Sequence, residues 1–375
     1  MAITEITAKS LLRKFKKIDS WFVARYGMNL YRGCTHNCLY CDGRAEGYYV
    51  EGEFGRDVAV KVNAAELLRK ELNPLRKRKP MRPGFMLIGG GVGDSYQPAE
   101  EQYGLTRKIL EVVYEFDFPV HVLTKSTLVR RDIDILKKID GKSRAMVSFS
   151  FSSADDRISK VFEPGVPPPS ERLRNIAFLK DQGISCGMFL MPVLPYVTDT
   201  RELMEETVVK AKEAGVDFII FSGLTLKEGR QKQYFYEALK TYDPGLVPEY
   251  DKLYTGNTWG QASGTYYDEI NKTFRDVTDK YAIPKRIPPE LYRDFLDQND
   301  LVVVMLEHMD YLLTLRGEKS PFGFAAYSIS KVKEPLSSKK SELTGLKGVG
   351  NYTEKIILEI LDTGNSILYQ KLMGR

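Results

Sequence analysis

Cysteine is scarce in this chain, with four in 375 residues, too few to staple a fold of this size with disulfides. Long apolar runs are missing as well. No stretch approaches the ~20 apolar residues that span a bilayer. The nearest, "LVVVMLEHMDYLLTL" at 301–315, is broken by Glu307, His308 and Asp310 and reads as a buried helix. The basic N-terminal stretch, "MAITEITAKSLLRKFKKIDSW", has neither the apolar core nor the small-residue cleavage site of a secretory signal. The expected location is therefore cytoplasmic, with no membrane partner. Solenoid repeats and low-complexity tracts are also absent. What remains is a globular composition, 43% hydrophobic and 28% charged, long enough for one large domain or two to three smaller ones.

The formal charge of +5 is unevenly distributed. From Lys61 to Arg82 eight Lys or Arg face two Glu, and "RKFKK" near the N-terminus forms another cluster. Such runs read as solvated surface or as contacts to a nucleic-acid backbone, whose phosphates demand clustered cations.

Short apolar runs alternate with amphipathic stretches. The runs are "GFMLIGG" at 84–90, "FPVHVLTK" at 118–125, "RAMVSFSFS" at 144–152, "GISCGMFLMPV" at 183–193 and "VDFIIFSG" at 216–223. Helical periodicity falls near 100–115, 132–138, 170–182 and 201–214. Strand, helix and strand in succession imply parallel strands with right-handed crossovers. With "MNLYRG" at 28–33 as the first strand there are six units, giving a partly closed (β/α) barrel or an open doubly wound sheet. In such a barrel the site gathers at the C-terminal strand ends. Residues 1–24 read as a basic helical segment and 25–225 as the α/β core. Residues 226–334 read as a helical extension rich in aromatics, and 335–375 as a tail entered through a linker, "PLSSKK".

Three of the four cysteines fall within eight positions, in "NLYRGCTHNCLYCDGR" at 29–44. Cys34, Cys38 and Cys41 make CxxxCxxC, a spacing that wraps a compact inorganic centre. Structural zinc wants four N or S ligands. His36 would have to turn back from between two cysteines to supply the fourth. A cubane iron–sulfur cluster also usually takes four cysteines. Three leave one iron open.

CxxxCxxC with Tyr40 ahead of its last cysteine, following the first strand of a βα series, resembles the signature of the radical SAM superfamily. The resemblance implies a partial (β/α)6 TIM-type barrel with a helical C-terminal extension. It further implies that Cys34, Cys38 and Cys41 hold a [4Fe-4S] cluster, with S-adenosylmethionine chelating the fourth iron. One electron, from a donor such as flavodoxin or ferredoxin, would then cleave the cofactor to methionine and a 5′-deoxyadenosyl radical that abstracts a hydrogen atom. Tyr40 joins the cofactor-binding set. Gly89, Gly90 and Gly91 in "LIGGGVGDSYQP" would let backbone approach the methionine end, or would simply make a turn. Lys125 would pair with the cofactor carboxylate. Ser148 and Ser150, on one strand face, would reach its ribose or carboxylate, or fill the barrel.

The likeness extends to "GDSYQPAE", "LTKSTLVRRDIDIL", "FEPGVPPPSERL" and "MPVLPYVTD", in the order found in spore photoproduct lyase and its relatives, over residues 25–225. That family reverses a methylene-bridged thymine dimer in DNA, and Lys125 and a fourth-strand serine match its cofactor contacts. The sequence departs from it at Gly91, at or beside the place of a cysteine that returns a hydrogen atom to the product radical. Tyr96 is the candidate radical-relay phenol in its stead, and Cys186 reads as a core residue. The tail, "LTGLKGVGNYTEKIILEILDTGNSILYQKL" at 343–372, resembles a helix-hairpin-helix motif. Lys347, Gly348 and Gly350 would cradle a DNA phosphate with backbone amides. The expected substrate is thus nucleic acid, DNA before RNA. Radical chemistry on a peptide or small molecule, and a non-catalytic metal-containing nucleic-acid binder, are the alternatives.

Overall fold

The computed structural model describes residues 2–48, 52–76, 81–256 and 258–374. The central part of the basic run, Lys77 to Pro80, lies outside the described residues. Strands β1 (Ile3–Ile6), β4 (Tyr31–Arg32) and β5 (Val58–Lys61) form a small sheet in the order β1-β5-β4. The main sheet has seven strands: β2 (Arg13–Asp19), β3 (Ala24–Met28), β6 (Phe85–Ile88), β7 (Val120–Thr124), β8 (Ala145–Phe151), β9 (Ser185–Val193) and β10 (Phe218–Gly223). Their order is β10-β9-β8-β7-β6-β3-β2, with β3 and β6 to β10 parallel and β2 antiparallel at the edge. The six parallel strands are those of a partial (β/α)6 barrel.

Helices α1 (Ala64–Leu72), α2 (Ala99–Tyr103), α3 (Leu105–Glu115), α4 (Ile133–Lys142), α5 (Asp156–Phe162), α6 (Pro169–Asp181) and α7 (Arg201–Glu213) lie between the strands. After them come α8 (Arg230–Tyr242), α9 (Val247–Leu253), α10 (Tyr266–Lys280), α11 (Gln298–Leu315), α12 (Phe322–Ile329), α13 (Asn351–Thr363) and α14 (Ile367–Leu372). Among the described residues no helix is long and apolar enough to cross a membrane.

Three expectations are corrected. The first 24 residues are not helical: they hold β1 and β2. In "RKFKKID" charges fall on both strand faces, which suits an edge strand that must not recruit another chain but imitates a helix's polar face. The first barrel strand is β3, upstream of the expected 28–33, which holds only the two-residue β4 of the other sheet. Its charge hid it: Arg25 is buried in β3, 3.5 Å from Asp300 of α11. The expected linker is packed too, with Leu336 fully buried and its N–H donating to Asn299 Oδ1 at 2.9 Å.

Strand alternation divides the core. One sheet face, with Met86, Val120, Val147, Met188 and Ile219, packs against the crossover helices. The other face is the barrel interior, where Phe85, Leu87, Met146, Phe189 and Ile220 pack with Val302 to Leu306 of α11 and Ile357 and Ile360 of α13. α11 is apolar almost all round because it is buried all round. The C-terminal helices therefore share one core with the lower half of the barrel.

His308 ties this core to both chain ends. Its Nε2–H donates to the Ser20 carbonyl at 2.8 Å, and its Nδ1 accepts from the Tyr369 hydroxyl at 2.8 Å. Burial, reinforced by the charge of Arg286, pushes its pKa down to about 3. The unfolded side chain titrates near ~6.5, so below that pH the unfolded chain binds a proton that the native one refuses. The stability His308 contributes is full above ~6.5 and is lost as pH falls toward its folded value. Asp300, raised by burial to about 6, acts in the opposite sense, so the contribution is best read as a difference between proteins. The denaturation midpoints of wild type and His308→Gln should converge by up to ~1.4 kcal/mol per pH unit below pH ~6.5. A gap that does not change with pH would contradict a neutral buried His308.

Candidate active site

The cysteine loop follows β4, beside the C-terminal ends of the parallel strands. It has almost no regular structure of its own, so its shape is imposed by backbone bonds from three distant segments. After β6, Gln97 accepts from Thr35 N at 3.0 Å and donates to the Gly33 carbonyl at 3.1 Å. After α5, the Phe162 carbonyl accepts from Leu39 N at 2.9 Å, and Gly165 exchanges bonds with His36. A Cβ on Gly165 would stand 2.6 Å from the Thr35 carbonyl oxygen, so only glycine allows this approach. From α8, Gln231 Nε2 donates to the Tyr40 carbonyl at 3.1 Å.

Held this way, Cys34, Cys38 and Cys41 line one cavity of about 110 Å³, together with Gly90, Gly91, Lys125 and Ser150. All three are free thiols, and burial raises the pKa of each. Cys186 is buried on β9 in the outer core and does not line the cavity. Among the described residues no three of His, Cys, Asp or Glu converge closely enough to chelate a single metal ion.

His36 is otherwise engaged. Its Nδ1–H donates to the Gly165 carbonyl at 2.9 Å, and its Nε2 lies 3.2 Å from Asp94 Oδ2. Asp94 also accepts from Thr124 Oγ1 at 2.8 Å and from the Lys125 and Tyr96 amides at 2.7 and 2.8 Å. Burial pushes its carboxyl up, but His36 and these donors more than offset that, and its pKa is lowered.

Glu163 is the second buried carboxylate. It accepts from the Tyr40 hydroxyl, from Lys125 Nζ at 2.9 Å, from Ser159 Oγ at 3.0 Å and from Arg172. Burial alone would raise its pKa, yet Arg172, Lys125 and the Tyr40 hydroxyl drive it far below the usual carboxylate range. Lys125 Nζ also donates to Ser150 Oγ at 3.0 Å.

The other expected residues divide by position. Gly89, with φ of 86°, sits below the cavity where a Cβ would stand 2.2 Å from the Leu123 carbonyl oxygen. Gly91 has only the Asn29 side chain at 3.8 Å, so a side chain would fit there. Ser148 shares the inward face of β8 with Ser150 but lies deeper, its hydroxyl 2.8 Å from His121 Nε2. Tyr40 reaches the site through Glu163. Tyr96 is not brought to the cavity: its hydroxyl donates to Asp132 Oδ2 at 3.1 Å, and its ring lines a neighbouring space. In the tail, Gly348 has φ of 87° and lies against Phe324, over whose ring Lys347 Nζ sits at 5.4 Å. Gly350 caps α13 in extended backbone, with nothing near it.

Residues 28–208 match the radical SAM superfamily. An uncharacterized protein of Mycobacterium tuberculosis is 30% identical over 293 residues, covering 76% of this chain and 84% of that one. The chain belongs to the radical SAM superfamily. An uncharacterized protein of Methanocaldococcus jannaschii is 29% identical over 253 residues, 67% of this chain and 86% of that one. The fold is that of spore photoproduct lyase. The structure of that enzyme complexed with dinucleoside spore photoproduct superposes with a TM-score of 0.55 at 17% identity, covering 74% of this chain and 79% of that one.

This is therefore a radical SAM enzyme, and its cofactors are a [4Fe-4S] cluster and S-adenosylmethionine. Together these supply a 5′-deoxyadenosyl radical for hydrogen abstraction. The cavity that three thiols, two glycines, Lys125 and Ser150 line is where the chain brings its candidate site residues together.

Sequence reading missed Asp94, Gln97, Glu163, Arg172 and Gln231. The first four sit inside the quoted stretches "GDSYQPAE" and "FEPGVPPPSERL", but nothing local shows that they reach the cysteine loop. Glu163→Gln should cost ~3–5 kcal/mol of stability, because it leaves buried Arg172 and Lys125 without their counter-charge. The denaturant midpoint measures it. A loss below ~1 kcal/mol would mean that Lys125 and Arg172 are neutralised elsewhere.

Proposed function

We propose that this radical SAM enzyme acts on nucleic acid, repairing or modifying a base in DNA. In this reading Cys34, Cys38 and Cys41 each bind one iron, and the fourth iron takes S-adenosylmethionine. Lys125 is held by Glu163 and Ser150 where it can pair with the cofactor carboxylate, and Gly90 and Gly91 give the methionine end a wall without side chains. The observation that carries the site is the convergence of three thiols from one loop on a cavity that no fourth cysteine lines.

The substrate class rests on two supports. The fold is shared with an enzyme solved with a dinucleoside lesion. The tail sets its glycine hairpin beside exposed aromatic rings, Phe324, Tyr327 and Tyr352 at 50%, 51% and 57% exposure, a surface suited to nucleic acid. Lys347, Gly348 and Gly350 then contact phosphate. Chemistry on a base requires the base out of its stack, and Gly91 leaves room above the cavity for it. With no thiol at Gly91, hydrogen return to a product radical must use another donor, so the spore-photoproduct reaction itself is not assigned.

The test is an anaerobic assay of reconstituted enzyme with dithionite, S-adenosylmethionine and either ultraviolet-irradiated or untreated DNA. The expected result is 5′-deoxyadenosine formation that rises with one DNA substrate, accompanied by a mass change in a nucleoside from its digest. Equal 5′-deoxyadenosine with and without DNA, and no altered nucleoside, would remove DNA as the substrate.

A further inference from the structure

A groove of about 880 Å³ runs along β2 and shares no lining residue with the cysteine cavity. β2 is the last strand of its sheet, so one of its edges has no strand partner. The groove lies between β2 and α11. Arg13, at its upper end, pairs in register with Gly27, one residue from the end of β3. The groove therefore opens at the end of the sheet that carries the cysteine loop.

Its charges are asymmetric in use. Each acid is committed internally. Asp19 Oδ1 accepts from the Trp21 and Phe22 amides at 2.9 and 3.2 Å, Glu307 pairs with Lys17, and Asp310 Oδ1 accepts from Gly323 N at 3.1 Å. Arg13 and Lys16 are exposed and have no ion-pair partner among the described residues. Arg286 is more telling. It is 2% exposed, and its guanidinium lies 3.3 Å from the Tyr311 ring centroid and 4.7 Å from that of Trp21. Among the described residues no carboxylate stands within ion-pair distance of it; its Nη1 donates to the Lys285 carbonyl at 3.3 Å, and Asp19 and Glu307 act on its charge only from beyond contact. A buried guanidinium whose counter-charges do not touch it is costly. An anion entering the groove would relieve that cost.

We propose that this groove binds a single strand of nucleic acid, with phosphates on Arg13, Lys16 and Arg286 and a base against Trp21. The proposal rests on the nucleic-acid reading of the function and gives that substrate a path to the barrel mouth. Cations interleaved with flat rings are what a strand needs for backbone and base together, and a guanidinium matches phosphate geometry. An acidic peptide added as a strand to the β2 edge would use the same cations, but it would leave the aromatic pair around Arg286 without a role.

The chain has two tryptophans, so Trp259→Phe leaves Trp21 as the sole indole reporter. In this background, full-length reconstituted enzyme is titrated with a fluorescein-labelled dT 12-mer for anisotropy and an unlabelled one for Trp21 emission. Saturable quenching of Trp21 is expected. Arg13→Glu with Lys16→Glu, both exposed, should raise Kd at least tenfold and flatten the slope of log K against log salt by about 1.4, for two phosphate contacts on a single strand. Binding with unchanged Trp21 emission and an unaffected double variant would overturn the groove and leave the function standing. No binding of the 12-mer would overturn the groove, and the function is then decided by the assay with irradiated and untreated DNA. Quenching by a polyglutamate peptide but not by the 12-mer would reassign the groove to an acidic protein partner and overturn the proposal.

Discussion

A buried carboxylate must be paired, and Glu163 is paired in a way that organises the whole mouth of the barrel. It brings together the aromatic before the last cysteine, the lysine at the end of β7 and an arginine from α6, all with little water present. Removing a full charge from water is tolerated only with several donors in place. Those donors come from four separate parts of the chain, the cysteine loop, the end of β7, α5 and α6. The same segment, Phe162 to Gly165, also clamps the cysteine loop through its backbone. One short stretch at the end of α5 and before α6 thus serves both the charge balance and, with Gln97 and Gln231, the shape of the loop.

Beneath that layer the barrel becomes progressively drier. Lys125 and Ser150 face the cavity, His121 and Ser148 bond to each other a step lower, and Leu87, Phe189 and Ile220 pack against α11 below them. An open six-stranded barrel would expose its interior. Here α11 and the C-terminal helices fill the lower half, and the cysteine cavity lies at the other end. The tail is therefore part of the core as well as a candidate contact surface, and Gly348 already has a packing reason to be glycine.

Much of this could be read from residue order. The five apolar runs from 84 onward are strands within a few residues of where alternation places them, because each is buried on both faces and needs no polar face to mark it. β3 escaped because Arg25 and Tyr26 interrupt the apolar pattern, and their partners, Asp300 and the Arg82 carbonyl, lie far along the chain. β2 escaped because this edge strand carries charges on both faces, which look helical. In the site, CxxxCxxC and "LTKS" were legible as motifs. Asp94, Gln97, Glu163 and Arg172 lay in plain view, but their meaning depends on which backbone atom they reach, and that is a property of the fold. Tyr96 looked exposed to chemistry in "DSYQP", yet the turn after β6 directs it to Asp132.

The central claim is that three cysteines hold the cluster and leave one iron open to the cofactor. The most direct measurement is electron paramagnetic resonance of the reduced, anaerobically reconstituted protein, recorded before and after addition of S-adenosylmethionine, for wild type and Cys186→Ala. The account predicts a cluster signal in both proteins that changes when the cofactor is added, since the amino and carboxylate groups take the open position. A signal indifferent to the cofactor in wild type, and lost in Cys186→Ala, would reveal a fourth protein ligand and contradict it.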